Sequence, residues 1–379
     1  TQIHEHIEYE YPAGWRGLAS WILFGPLGLT ALFAYRKWAT RRNLREGSHM
    51  ILNQWYAVLE SKEVGRKPVG VTRMGEKLVF WRNQRGDIHC AVDRCPHRGV
   101  ALSIGKLEND HLQCPFHGFE YDASGACVHI PANGRGGRIP DSIKLKGYPT
   151  HEQHGFVWIW WGDSPPENLQ PPIFFDNLDN SFLYASKADP WKAHYSRVIE
   201  NQLDVVHLPF VHHNTIGRGN QTVVDGPVVR WVGGLKMYVY VFNRADDGTP
   251  PRKPNELSPK DSRSVHLEFI LPNLWQNFIS EDVRVLAAFT PVDEENTVLY
   301  LRFYQRFLRI PVIGQMVTQL AMPSNVYIAH QDRRVVVTHR AQASSMDLGE
   351  KLIQGDLPII EYRRKRAEMQ RSVVQKEFS

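Results

Sequence analysis

Cysteine is scarce in this 379-residue chain: four are present, at positions 90, 95, 114 and 127. Four are too few for a fold built on disulfides, so their positions matter more than their number. Neither glycine (28) nor proline (24) is in excess, which excludes a collagen-like or low-complexity chain. No sign of charge dominates, since 45 Lys and Arg face 40 Asp and Glu for a formal net charge of +5. So small an excess is no footprint for a polyanion, and no nucleic-acid partner is expected. Charged residues make up 22% and hydrophobic ones 42%, a balance that excludes intrinsic disorder. At this length two domains or one large one are expected, with room for a sizeable core. Histidine, by contrast, is plentiful: 17 are present, several beside cysteine or carboxylate. The composition points to a cytoplasmic metalloprotein.

Long hydrophobic runs are absent with one exception. Gly17 to Tyr35 carries no charge; Glu5, Glu8 and Glu10 precede it, and Arg36, Lys37, Arg41, Arg42 and Arg45 follow. At about 1.5 Å per residue such a helix nearly crosses a hydrocarbon core of about 30 Å. Its basic flank would stay on the cytoplasmic side, whereas a signal peptide carries its positive charge ahead of the run. Pro26 in mid-run weakens a simple spanning helix, and the other reading is a hairpin or helix that covers an apolar surface. Residues 1–49 are thus an extension, with membrane association through 17–35 as one expectation and surface cover as the other. Gly47-Ser48-His49-Met50 resembles a cloning scar.

From Met50 the chain changes to short alternating segments separated by turn residues. Gln54–Leu59, Pro68–Arg73, Lys77–Asn83 and Ile88–Val92 read as strands, with a hairpin turn at Met74-Gly75-Glu76. An apolar strand from Gly155 to Trp161 closes this region, and the proline-rich stretch to Pro172 reads as a linker. Helices are expected around Arg197–Phe210 and Ile313–Gln342. Strands are expected at Val228–Val232, Met237–Phe242, Ser264–Ile270, Leu286–Thr290 and Thr297–Tyr304. The domains are set at 50–165 and 166–379.

Two loops in the first domain carry chemistry. Cys95-x-His97 is followed, sixteen residues on, by Cys114-x-x-His117. Each loop offers one thiolate and one imidazole from a tight turn held by proline and glycine. Zinc fingers prefer paired cysteines and a separate pair of histidines. Mixed Cys/His arms suit a [2Fe–2S] cluster with two Cys on one iron and two His on the other. Cys90 and Cys127 are left over and read as small core residues. This stretch resembles a Rieske domain. Respiratory Rieske proteins carry an extra cysteine in each loop; here Phe116 occupies the second loop, so the loops resemble those of Rieske oxygenases and ferredoxins.

A ferredoxin would end near residue 165, yet over 200 residues follow. Among them Asp204-x-x-His207-x-x-x-x-His212 stands out. On a helix Asp204 and His207 share a face, where the carboxylate can orient the imidazole. A helix break at Pro209 is expected to bring His212 back to the same metal. Two imidazoles and one carboxylate form the facial triad of non-haem Fe(II), which leaves open positions for O₂ and substrate.

The two constellations together resemble the Rieske non-haem iron oxygenase α subunit of the α3 branch. That resemblance selects His212 over the adjacent His213 and assigns the missing carboxylate to Asp332, in Gln331-Asp332-Arg333-Arg334, over Glu281 and Asp282. Arg333 and Arg334 are expected to be structural. It implies an α+β fold, a Rieske β-domain followed by a helix-grip (StAR-related or Bet v1-like) domain with an antiparallel sheet. It implies a head-to-tail homotrimer, in which Asp204 bridges His207 to a cluster histidine, His97 or His117, of the neighbouring subunit. Asn201 is a further residue expected just behind the metal ligands. The implied activity uses O₂ and electrons from a separate reductase or ferredoxin to hydroxylate, demethylate or otherwise oxidise an apolar aromatic or polycyclic molecule. Leu203, Val206, Phe210, Trp275 and Phe278 are expected to line its pocket. The competing readings are a membrane-tethered Rieske electron carrier without mononuclear iron, and a lipid-binding module that has lost catalysis.

Overall fold

The computed structural model describes residues 50–162, 165–261, 266–310, 312–340 and 342–376, and residue 30. The apolar segment 17–35 lies outside the described residues apart from that one. Met50–Ser379 forms one compact unit.

Eleven strands make up its first part: β1 (Gln54–Glu60), β2 (Val69–Arg73), β3 (Glu76–Arg82), β4 (Ile88–Val92), β5 (Lys106–Glu108), β6 (His111–Gln113), β7 (Glu120–Tyr121), β8 (Cys127–His129), β9 (Gly147–Tyr148), β10 (Thr150–Gln153) and β11 (Phe156–Trp161). They pair in three antiparallel sheets, ordered β1-β11-β10, β2-β3-β4-β9 and β5-β6-β7-β8. Met74 and Gly75, both at positive φ (49° and 78°), close the β2–β3 hairpin between Arg73 and Glu76. Two central residues in that region give the turn the twist the strands require.

The second part is built on one seven-stranded antiparallel sheet. Its strands are β12 (Leu183–Trp191), β13 (Val223–Val232), β14 (Lys236–Arg244), β15 (His266–Ile270), β16 (Leu274–Ser280), β17 (Val283–Pro291) and β18 (Thr297–Gln305), in spatial order β12-β18-β17-β16-β15-β14-β13. Period-two alternation divides its side chains between two faces. Phe269, Trp275, Ala287, Phe289, Leu299 and Leu301 share one core with the helices. Ile270, Leu274, Leu286, Ala288 and Tyr300 point the other way and pack with Ala57, Phe156 and Trp158 of the first part. Four α-helices complete the described part of this unit: α1 (Tyr195–Leu203), α2 (Leu208–Val211), α3 (Ile313–Val336) and α4 (Leu357–Lys376). The long α3 lies against β12 and β18.

The two parts are tied by a buried ion pair. Arg302 of β18, fully buried, donates to both carboxylate oxygens of Glu60 at 2.8 and 2.9 Å and to the carbonyls of His154 and Gly155. Removing one partner of such a pair costs about 3–5 kcal/mol, because the other charge is left buried and uncompensated. Among the described residues no helix is long and apolar enough to cross a membrane.

Two expectations need correction. The single helix expected over Arg197–Phe210 is two: α1 stops at Leu203, and Pro209 sits in the first turn of α2. Proline is tolerated there, since a first-turn N–H has no partner within the helix. The break comes at Asp204, whose extended backbone (φ −69°, ψ 124°) ends α1. The last helix of the expected pair ends at Val336 rather than Gln342. Glu281 and Asp282, the carboxylates that competed with Asp332, form the turn between β16 and β17 and pair with Arg306.

Candidate metal sites and family

The two Cys/His loops have one design. Cys95 opens the loop after β4, and the N–H of Gly99 donates to its carbonyl at 2.8 Å. Cys114 opens the loop after β6, and Gly118 N–H donates to its carbonyl at 3.0 Å. Both glycines have positive φ (77° and 72°), which their lack of a Cβ permits. A Cβ on Gly118 would come within 3.0 Å of Pro131.

This construction puts both thiols inward and both imidazoles outward. Cys95 and Cys114 are 2% exposed, whereas His97 and His117 are exposed with ring centroids 4.7 Å apart. All four cysteines are free thiols. Burial, and after it the neighbouring Cys95, push the Cys114 thiol up. Two adjacent buried thiols and two surface imidazoles are the donor set of a Rieske [2Fe–2S] cluster. Around them His97 stacks on Phe119 at 4.7 Å, and the Tyr121 hydroxyl lies 3.1 Å from Cys95 Sγ. Cys90 and Cys127 are buried core residues.

The second site forms where α1, α2 and α3 meet. Among the described residues His207, His212 and Asp332 are the one group of three whose donor atoms converge as metal ligands would. His207 Nε2 is 3.2 Å from His212 Nε2, and Asp332 Oδ1 is 3.3 and 2.9 Å from these two atoms. Donors about 2.1 Å from one ion and at right angles to each other stand about 3.0 Å apart. The three atoms fit adjoining positions around one divalent ion.

Each of the three is held from behind. His212, 1% exposed, has its Nδ1 at 2.9 Å from Gln331 Oε1, which also accepts from Thr215 Oγ1. Gln331 Nε2 is fixed in turn by Asn214 Oδ1 at 2.7 Å. Asp332 Oδ2 accepts from Gln202 Nε2 at 3.1 Å. His207 Nδ1 lies 3.7 Å from Asp204 Oδ1. The α3 turn that carries Asp332 is pinned by Asp189, which accepts from His330 and Arg333.

Burial disfavours the charged form of His207, but Asp204 and Asp332 outweigh it and push the imidazole up to about 9. Burial would raise Asp332 too, yet His207 and His212 hold it well below the usual carboxylate range. Before a metal arrives the site is an ion pair; a cation there replaces the proton.

Several expected residues take other places. Asp204 lies at the surface of the single chain. It is a quarter exposed, and its Oδ1 accepts from the N–H groups of Val206 (2.6 Å) and His207 (3.2 Å). It thus shapes the turn that aims His207. Asn201 makes no bond to the triad, and its Nδ2 is buried without a partner among the described residues. One residue on, Gln202 makes the contact instead, because each residue rotates the side chain by about 100° around α1. Of the expected pocket, Leu203 and Trp275 belong to the helix-side core and Val206 packs on it. Phe278 shares the parity of Leu274 and so lies on the opposite sheet face, under the Arg284 guanidinium at 3.4 Å. Phe210, on the short α2, is 64% exposed. Gln202, Gln331 and Tyr121 lie outside the expected set: none is a metal ligand, and Gln202 and Gln331 bond ligands 130 and 119 residues away in sequence.

Residues 54–149 match the Rieske [2Fe-2S] domain model, and residues 191–372 match the vanillate O-demethylase oxygenase C-terminal domain model. A β-domain with a cluster-binding loop pair, joined to a domain with a converged two-His, one-carboxylate site, defines a two-metal-centre oxidoreductase architecture. The chain belongs to the Rieske non-haem iron oxygenase family. It is 35% identical over 165 residues to the oxygenase component of dicamba O-demethylase from Stenotrophomonas maltophilia, covering 43% of this chain and 48% of that protein. It is 32% identical over 186 residues to the vanillate O-demethylase oxygenase subunit of a Pseudomonas species, covering 48% and 50%. The matches span about half the length of these relatives. Among solved structures, NdmA of Pseudomonas putida CBB5 aligns with a TM-score of 0.70 at 23% identity over 88% of this chain and 93% of that one. Dicamba monooxygenase bound to dicamba aligns with a TM-score of 0.63 at 22% identity, covering 86% and 99%. At those identities the likeness is one of fold.

Proposed function

We propose that this protein is the oxygenase component of a multicomponent system that uses O₂ and external electrons to hydroxylate, demethylate or otherwise oxidise an apolar aromatic or polycyclic molecule. The observation that carries this reading is the convergence of His207, His212 and Asp332 within hydrogen-bond distances of one another. A Rieske electron carrier has no use for such a site, and a lipid-binding module has no use for the Cys/His loops. The relatives named above are O-demethylases, which makes removal of a methyl group by hydroxylation the leading outcome.

In this reading Cys95, His97, Cys114 and His117 hold the [2Fe–2S] cluster, and His207, His212 and Asp332 hold one Fe(II). Bound iron would supply the redox chemistry that activates O₂; one oxygen atom enters the substrate and the other leaves as water. The chain's own residues set the conditions. Gln331 fixes the His212 tautomer so that Nε2 presents its lone pair, and Asp204 aims His207 through the turn it shapes. Leu203 and Trp275, packed in the helix-side core, would give the site apolar surroundings.

Electrons enter from a reductase or ferredoxin at the exposed His97/His117 edge. In a head-to-tail trimer Asp204 would meet a cluster histidine of a second copy, a reading supported by its partial exposure. The division at 50–165 and 166–379, with the linker between, and a cytoplasmic location are parts of the same proposal. Oxygen uptake by the chemically reduced protein, measured over aromatics, steroids and methylated amines, tests it. Substrate-dependent uptake with an oxidised product is expected. Cluster reoxidation without product for every compound would overturn the reading.

A further inference from the structure

The two oxygens of Asp332 are unequal. Oδ1 faces the imidazoles, 2.9 Å from His212 Nε2 and 3.3 Å from His207 Nε2, and is buried without a hydrogen-bond partner among the described residues. Oδ2 is already engaged, accepting from the Gln202 amide at 3.1 Å. The bond joins the last turn of α1 to α3, and Asp332 is only 3% exposed, so water does not readily take the place of Gln202 at the carboxylate. For both oxygens to bind one cation equally, the carboxylate would have to turn and give up its bond from the half-buried Gln202 amide. A hydrogen bond to a charged carboxylate is among the stronger ones, so the rotation is opposed.

We propose that Gln202 is a positioning residue that restricts Asp332 to a one-oxygen ligand. The site then grips a divalent metal by three protein atoms and leaves one more position open than a two-oxygen carboxylate would. This rests on the metal-site reading above. It also explains why a neutral amide stands there: a second carboxylate would repel Asp332, and a cation would compete with the metal. The chemistry asked of the site needs room at the metal for both O₂ and a substrate held beside it.

The test uses Mn(II) bound at the mononuclear site of the full chain, with the cluster oxidised and therefore diamagnetic. Electron paramagnetic resonance in ¹⁷O-enriched water counts the waters on the ion. Gln202→Leu and Gln202→Met, which remove the donor and keep the bulk, are expected to bind Mn(II) at least as tightly as wild type with one water fewer. The cluster's visible spectrum reports that the fold survives. An unchanged water count in both variants would overturn the role given to Gln202, as would loss of Mn(II) from both, the outcome of a merely structural residue. If the wild-type chain holds no more Mn(II) than Asp332→Ala, the metal-site reading itself fails, and this proposal with it.

Discussion

Gln331→Leu removes the group that orients His212 while keeping similar bulk. In the native chain His212 Nδ1 meets Gln331 Oε1 at 2.9 Å, and Thr215 and Asn214 lock that amide from both ends. His212 is 1% exposed, so no water replaces the lost acceptor. The imidazole then loses both its fixed ring orientation and the tautomer that points a lone pair at the metal. Loss of such an outer partner typically weakens metal binding about 10- to 100-fold, or about 1.4–2.8 kcal/mol. Full burial of His212 places the expected value in the upper half of that range. Fe(II) affinity, measured anaerobically by competition with a chromogenic chelator, reads it directly. Gln331→Glu, which restores a stronger acceptor, should recover most of the affinity. Gln331→Leu protein with an intact cluster spectrum and an Fe(II) affinity within twofold of wild type would refute the reasoning.

Three further outcomes are expected. Asp204→Asn should leave both metal centres loaded but slow cluster reoxidation by orders of magnitude in a single turnover with O₂ and substrate; reoxidation at the wild-type rate would dismiss the bridging role. Tyr121→Phe removes the hydroxyl 3.1 Å from Cys95 Sγ, a contact that favours the more negative reduced cluster, so protein-film voltammetry should show a lower reduction potential. His207, held protonated up to about 9 by Asp204 and Asp332, must lose its proton to ligate, so affinity for a divalent metal should rise with pH up to that value. Calorimetry near neutral pH in buffers of different ionisation enthalpy should show close to one proton released, and a buffer-independent heat would contradict this.

What could be read from the chain was whatever is local. Cys95, His97, Cys114 and His117 stand in two short loops whose glycines and prolines announce the turns, and β4 and β17–β18 follow from their own apolar and β-branched content. What could not be read depends on contacts across the fold. Leu183–Trp191 includes Lys187, Asp189 and Pro190, yet is a strand because it pairs along its length with β18. Proline, the stronger helix breaker, predicts the end of α1 at Pro209, six residues past Leu203, where the helix stops. Asp204 ends the helix by offering its own carboxylate to the next N–H groups, a local competition that aspartate commonly wins. Gln202 and Gln331 carry no signal at all, since glutamine is ordinary on a helix and each acquires its role only when α3 is laid beside α1 and α2.

Iron content tests the central claim most directly. Chain reconstituted with iron and sulfide should hold three irons, two in the cluster and one at His207, His212 and Asp332. Asp332→Ala should hold two, with the cluster spectrum unchanged and substrate-dependent oxygen uptake abolished. A wild-type chain that saturates at two irons, or an Asp332→Ala chain that keeps three, would contradict the account.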